Sequence, residues 1–289
     1  MKIGVVVPQV EIGNDPAAIR DWAQAVEALG YTHVLAFDHV LGANPASHPA
    51  LKGPYTYRHP FHEPFVLYGF IAAATRRVEL VTGIVILPQR QTALVAKQAA
   101  TVDVLSGGRL RLGVAVGWNF VEYEALGEDF TTRGRRIEEQ IETMRALWTR
   151  ELVTLKGRWH RVTDAGINPL PVQRPIPVWM GGESEPVRRR ATRIADGWMP
   201  HFRPGPEAQA VVDRLHGWVR DAGRDPGVFW VEGRFALAQV PRDQWGKELA
   251  AWRAMRGITH VCVHTVGLGL RTPADHVEAL RRFKDEAGV

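Results

Sequence analysis

The run Glu79-Leu80-Val81-Thr82-Gly83-Ile84-Val85, the periodic stretch from Leu94 to Leu105, and the run Arg109-Leu110-Arg111-Leu112-Gly113-Val114-Ala115-Val116 together decide the fold. Two short apolar, β-branched runs flank one longer helical pattern, and Ser106-Gly107-Gly108 punctuates the return. This is the signature of a βα unit in a parallel sheet.

The same alternation extends in both directions. Further strands are predicted at Ile3 to Val7, His33 to Phe37, Pro177 to Met180, Gly197 to Pro200, Val228 to Phe235 and Thr259 to His264. Helices are predicted at Pro16 to Leu29, Pro64 to Ala74, Thr131 to Trp148, Pro186 to Ala195, Glu207 to Ala222, Gln244 to Met255 and Pro273 to Glu286. Asp15 before Pro16 and Thr272 before Pro273 are N-cap residues ahead of a first-turn proline, and Gly30 and Gly257 stand where helices end. A doubly wound open sheet uses the same local pattern, but eight units favour closure into an α/β (β/α)8 TIM barrel. One domain over residues 1–289 is expected, since such barrels commonly exceed about 250 residues.

Two stretches exceed the minimal unit. Asp38 to Glu63, after the second strand, is long, rich in proline and glycine, and carries His39, His48, His59 and His62. Its Tyr55, Tyr57 and Phe61, with Phe65 just beyond, argue against disorder and for a lid or substrate wall. Leu152 to Val172, before the fifth strand, reads as a hairpin and loop around Lys156-Gly157-Arg158.

Hydrophobic residues make up 45% and charged residues 23%, as in ordinary globular chains, and no apolar run reaches the roughly 18 to 20 residues of a membrane span. The amino-terminal apolar run is short and ends at Pro8, so a cytoplasmic address is expected. Cys262, alone of its kind, lies in the apolar run Ile258 to Val263 and is expected in the core. The net charge of +5 is spread without a block of like charges, which suits an anionic small molecule and gives no nucleic-acid patch. Arg188-Arg189-Arg190 is expected to be a solvated helix face.

No Walker loop, no Gly-x-Gly-x-x-Gly after a strand and no Gly-x-Ser-x-Gly elbow occurs. His59-Pro60-Phe61-His62-Glu63 matches no zinc spacing, so no metal is expected. At the end of the second strand, Asp38-His39 places a carboxylate and an imidazole at the carboxyl edge, the active face of a barrel. An imidazole there can give a proton or hydrogen bond, tuned by an adjacent acid; a capping aspartate with a structural histidine is the plainer alternative.

Asp38-His39, Val81 to Pro88, Leu105 to Gly113 and Val116-Gly117-Trp118-Asn119-Phe120-Val121-Glu122-Tyr123-Glu124-Ala125-Leu126-Gly127 occur in that order. Thr131 to Arg136, Met144 to Trp148, Pro177-Val178-Trp179-Met180-Gly181-Gly182 and Ala195-Asp196-Gly197-Trp198 follow. Together they resemble the luciferase-like monooxygenase family, and within it the branch using the deazaflavin coenzyme F420, strongly over about residues 1 to 200 and loosely beyond.

The resemblance implies a homodimeric barrel enzyme with a tricyclic ring over the strand ends, His39 and Asp38 at its reactive face, and hydride moving between C5 of the ring and a small organic substrate. Cofactor contacts are implied for Asp38, Gly83, Ile84, Val85, Leu87, Val116, Gly117, Trp118, Asn119, Met180, Gly181 and Gly182, with phosphate near the glycine pair. A non-proline cis peptide is implied at Ile84-Val85. An FMN-dependent monooxygenase is the first alternative and a non-catalytic ligand-binding barrel the second. The sugar-phosphate dehydrogenases of the branch carry an acid where Trp118 stands and a tryptophan where Val40-Leu41-Gly42-Ala43 stands, so glucose 6-phosphate is not carried over. Trp118, Phe61 and Tyr57 suggest an aromatic substrate space instead.

Overall fold

A computed structural model describes residues 1–288. The strands are β1 (Lys2–Val6), β2 (His33–Ala36), β3 (Glu79–Thr82), β4 (Val85–Ile86), β5 (Leu110–Ala115), β8 (Val178–Gly181), β9 (Gly197–Met199), β10 (Trp230–Ala236) and β11 (His260–His264), and an antiparallel pair, β6 (Val153–Lys156) and β7 (Arg161–Ala165), stands apart. The nine-segment sheet runs β3-β2-β1-β11-β10-β9-β8-β5-β4, and an additional β3–β5 pairing closes the circle. Since β3 and β4 are two parts of one interrupted strand, this is the eight-stranded parallel barrel the periodicity predicts. Helices α1 (Pro16–Ala28), α2 (Pro64–Ala74), α3 (Thr92–Ser106), α4 (Phe120–Ala125), α5 (Arg133–Thr149), α6 (Glu185–Ile194), α7 (Pro206–Asp221), α8 (Trp245–Ala254) and α9 (Pro273–Ala287) accompany the strands.

The caps behave as their residue types dictate. The Asp15 carboxylate accepts from the Ala17 N–H, and Thr272 and Asp275 form a reciprocal capping box. Each predicted element lies within about two residues of its expected place. The exception is α4, absent from the sequence-based assignment because six residues carry too little periodicity.

Burial separates two cores. A large outer one, including Val5, Val34, Val85, Met180 and Trp148, fills the space between barrel and helices. A small inner one, Val6, Leu35, Val81, Trp179, Met199 and Cys262, fills the barrel itself, with Phe37 and Ile84 packed on it. Cys262 is thus core, as expected.

Below the inner apolar layer lies a buried polar network. Arg111 Nη1 donates to Glu232 at 2.6 Å, His33 Nε2 lies 3.3 Å from the same carboxylate, and the Arg111 guanidinium sits 4.1 Å from the Trp179 ring centroid. His260 packs edge-on against Trp179 and His33. Arg111 and His33 hold the Glu232 carboxyl well below its usual range, although burial opposes them. His33, Glu232 and Cys262 could also converge on a metal ion, but the Glu232 oxygens are already engaged by Arg111 and His33. No helix among the described residues is long and apolar enough to cross a membrane.

Candidate active site

A cavity of about 480 Å³ opens at the carboxyl ends of the strands, between the barrel and the loop from Asp38 to Glu63. That volume suits a small organic ligand. A larger groove of about 680 Å³ runs along α5 beside the β6–β7 hairpin and is lined by no residue of the barrel strands. Barrel geometry and side-chain chemistry both select the first.

Nine residues predicted for the site line this cavity: Asp38, His39, Gly83, Ile84, Val116, Gly117, Trp118, Gly181 and Gly182. Val85, Leu87, Met180 and Asn119 do not. Val85, Leu87 and Met180 belong to the outer core. Along a strand only alternate side chains face the interior, so a contiguous run cannot all reach the ring. Asn119 caps α4, accepting from the Val121 N–H while its amide donates to the Leu41 carbonyl. The non-proline cis peptide falls at Gly83-Ile84, one bond before the expected Ile84-Val85.

The Asp38-His39 pair is divided. Asp38 accepts from Arg90 Nη2 at 2.7 Å and from the Ile86 N–H at 3.1 Å, and Arg90 also donates to Glu63. These bonds tie the end of β2 to β4 and to the far end of the long loop. Burial raises the Asp38 pKa, with Arg90 opposing. The acid that holds His39 is therefore not its neighbour but Glu122 on α4, whose Oε1 lies 3.1 Å from His39 Nδ1 and also accepts from the Leu41 N–H. Glu122 is only 1% exposed. A carboxylate on Nδ1 assigns the proton to that nitrogen, and Nε2 has no hydrogen-bond partner among the described residues.

Aromatic rings box the imidazole. Phe61, Tyr55 and Trp118 centroids lie 4.9, 5.1 and 5.7 Å from it. Tyr57, expected in the substrate space, is 55% exposed and carries Arg58 on its face instead. The Trp118 indole lies so close over Gly53 that a Cβ there would fall 2.0 Å from the ring, so Trp118 both lines the cavity and seats the loop. On the opposite wall, Gly182 has φ +118°, a conformation that favours glycine. It is followed by Ser184, whose hydroxyl makes no cap bond to α6; Pro186 has no N–H and Val187 and Arg188 donate to the Ser184 carbonyl, so in the first turn only the Glu185 N–H lacks an acceptor among the described residues. Tyr55, expected in the lid or substrate wall, lines the cavity, and so do His201, Met199 and Arg234, which no sequence motif marks. His201 is held down to about 4 by burial and by Arg234.

A closed parallel barrel with one apolar, glycine-edged cavity at its carboxyl rim defines an α/β-barrel protein with an enzyme-like ligand site. The chain belongs to the luciferase-like monooxygenase family, whose model matches residues 1–282, and so to a family of oxidoreductases. An uncharacterized protein of Mycobacterium tuberculosis is 35% identical over 210 residues, 70% of this chain and 71% of that one. An FMNH(2)-dependent dimethylsulfone monooxygenase of Pseudomonas putida is 33% identical over 158 residues, 53% of this chain and 43% of that one. An F420-dependent secondary alcohol dehydrogenase, solved with an F420-acetone adduct, superposes with a TM-score of 0.73 at 17% identity, covering 99% of this chain and 98% of that one.

Proposed function

We propose that the chain is an F420-dependent oxidoreductase that moves hydride between the deazaflavin C5 and a small organic substrate. The observation that carries this reading is His39, tied through Nδ1 to buried Glu122 and free at Nε2 on the wall of a glycine-edged apolar cavity. The residues present fit a flat ring bearing a phosphate. Gly83, Ile84, Gly117 and Gly181 offer little polar bulk at the strand ends, and Gly182 with the Ser184 hydroxyl, unbonded to the helix, brings backbone and a donor to the rim where α6 begins.

When bound, the deazaflavin supplies the two-electron hydride chemistry. The chain supplies the rest. Trp118 and Tyr55 narrow the cavity and exclude water, which strengthens charge interactions inside it. His39 presents Nε2 to the cavity as the atom through which a proton can pass to or from the substrate atom that changes charge, and Glu122, accepting at Nδ1, fixes how the ring stands. Asp38 and Arg90 anchor the rim on which His39 stands.

The preference for deazaflavin rests on the likeness of Gly113 to Trp148 to the F420 branch. The second reading is an FMN-dependent monooxygenase, favoured by the likeness to the dimethylsulfone enzyme. Anaerobic mixing with reduced F420 and a panel of small ketones and electron-poor alkenes separates the two. Oxidation of the deazaflavin without oxygen is expected; turnover only with reduced FMN and oxygen contradicts the first reading.

The same proposal includes a homodimer. Its support is the apolar exposure of Val66 and Phe70 on α2 and Leu94 on α3, neighbouring helices whose outward faces lack a cover. Light scattering on the purified chain at twice the monomer mass is the expected result.

A further inference from the structure

The carboxyl-end cavity holds a cation that hydride transfer does not use. Glu232 and Arg234 stand two residues apart on β10, so both side chains enter the barrel, while Gly233 between them faces Trp252 of α8. Glu232 is engaged one layer down by Arg111 and His33. Among the described residues, Arg234 has no hydrogen-bond or ion-pair partner within the chain, and its guanidinium lies 5.1 Å from the Phe37 ring centroid. A guanidinium stays charged in proteins, so the cavity wall carries a fixed positive charge.

The neighbours are arranged around that charge and not against it. Burial, and then Arg234 itself, drive His201 and His264 toward their neutral forms, each to about 4. Glu183, the other acid on the cavity wall besides Asp38, is exposed and accepts the His201 N–H. Asp38 is bound to Arg90. Phe37 lies on the guanidinium and the Glu232 charge favours it from the layer below, but among the described residues no side chain bonds its donors, and unpaired donors on a cavity wall are the condition expected of a group kept for a ligand.

We propose that Arg234 is the specificity-determining residue of this site, its planar fork receiving the carboxylate of an apolar or aromatic organic acid whose body packs against Phe37, Tyr55 and Trp118. The proposal rests on reading the cavity as the substrate site. A carboxylate also occurs among the acidic groups of the cofactor, and the experiment separates the two sources.

The test is calorimetric titration of the full chain, without added cofactor, with benzoate and with its neutral isostere benzamide. Benzoate is expected to bind at least tenfold more tightly. Arg234→Gln removes that preference and leaves benzamide affinity within twofold, and Arg234→Lys, which keeps the charge but loses the fork, retains part of it. Equal affinity for the two probes in the unaltered protein, or binding of neither, overturns the proposal without needing any variant to fold. So does a benzoate preference that survives in Arg234→Gln. Weakened binding of F420 or FMN in Arg234→Gln, with benzoate preference intact, assigns the guanidinium to the cofactor and likewise overturns it. A chain that binds neither cofactor yet prefers benzoate through Arg234 sinks the redox reading alone and leaves the carboxylate site standing.

Discussion

Arg111 and Arg234 both enter the barrel, from β5 and from β10, and their surroundings differ in kind. At the amino half Arg111 meets Glu232, approaches Glu79 at 3.4 Å and lies on Trp179, so the charge is neutralised where it is buried. At the carboxyl half Arg234 has Phe37 on one side, neutral histidines nearby and, among the described residues, no acid bonded to it, Glu232 acting only from the layer below. One end of the barrel completes its own electrostatics; the other leaves them for something bound. Natural proteins concentrate such local costs where function needs them.

The largest expected effect lies at the open end and concerns rate. His39→Ala lowers turnover by about 10²- to 10⁴-fold, the span of a positioned general acid, with cofactor affinity changed far less. Unchanged turnover in that variant removes the imidazole from the chemistry. Glu122→Gln, which leaves the ring in place without its carboxylate, lowers turnover less, by roughly 10- to 100-fold, and shifts the pH-rate profile. An unmoved profile would make Glu122 a packing residue only.

The comparison itself is broken or upheld by stability. Glu232→Gln strands the buried Arg111 and is expected to cost about 3–5 kcal/mol in denaturant unfolding. Arg234→Gln, at the open end, is expected to fall within about 1 kcal/mol of the unaltered protein, since no partner is lost. Equal costs at the two sites would erase the distinction between a structural and a ligand-facing arginine.

A smaller effect appears with pH. Burial holds His260 down to about 3 in the folded chain against an ordinary value near 6.5. Between those values the unfolded chain binds the proton and the folded chain does not, so stability is lost as pH falls from about 6.5 toward 3. The slope levels once the folded imidazole also titrates. His260→Phe should make the thermal-melt profile shallower above pH 4.5, leaving the share that His201 and His264, each held to about 4, lose in the same window, and the acid loss due to Glu232, whose depressed pKa stabilises the fold above the unfolded carboxyl value and fails below it. A profile unaltered by that substitution would move the acid sensitivity elsewhere.

Much of this was legible in the sequence, and what was not has identifiable causes. Strand runs such as Val81-Thr82 and Leu110 to Ala115 are apolar and bounded by glycine turns, so the barrel could be counted out before it was seen. Asp38 and His39 stood at the right edge, but their partners, Arg90 and Glu122, come from 52 and 83 residues away and no local pattern announces them. Val85 and Met180 fall inside motif runs, and such runs ignore the two-residue alternation of a strand that turns these two side chains to the outer core. That same alternation held an unread signal. Glu232 and Arg234, two charges on one face of an otherwise apolar strand, mark an interior that is not simply hydrophobic.

The central claim is the cofactor, and fluorescence titration of the purified chain with oxidised F420 and, separately, with FMN tests it most directly. Tight, saturable binding of the deazaflavin with much weaker binding of FMN is the predicted result. Preference for FMN, or binding of neither, would contradict it.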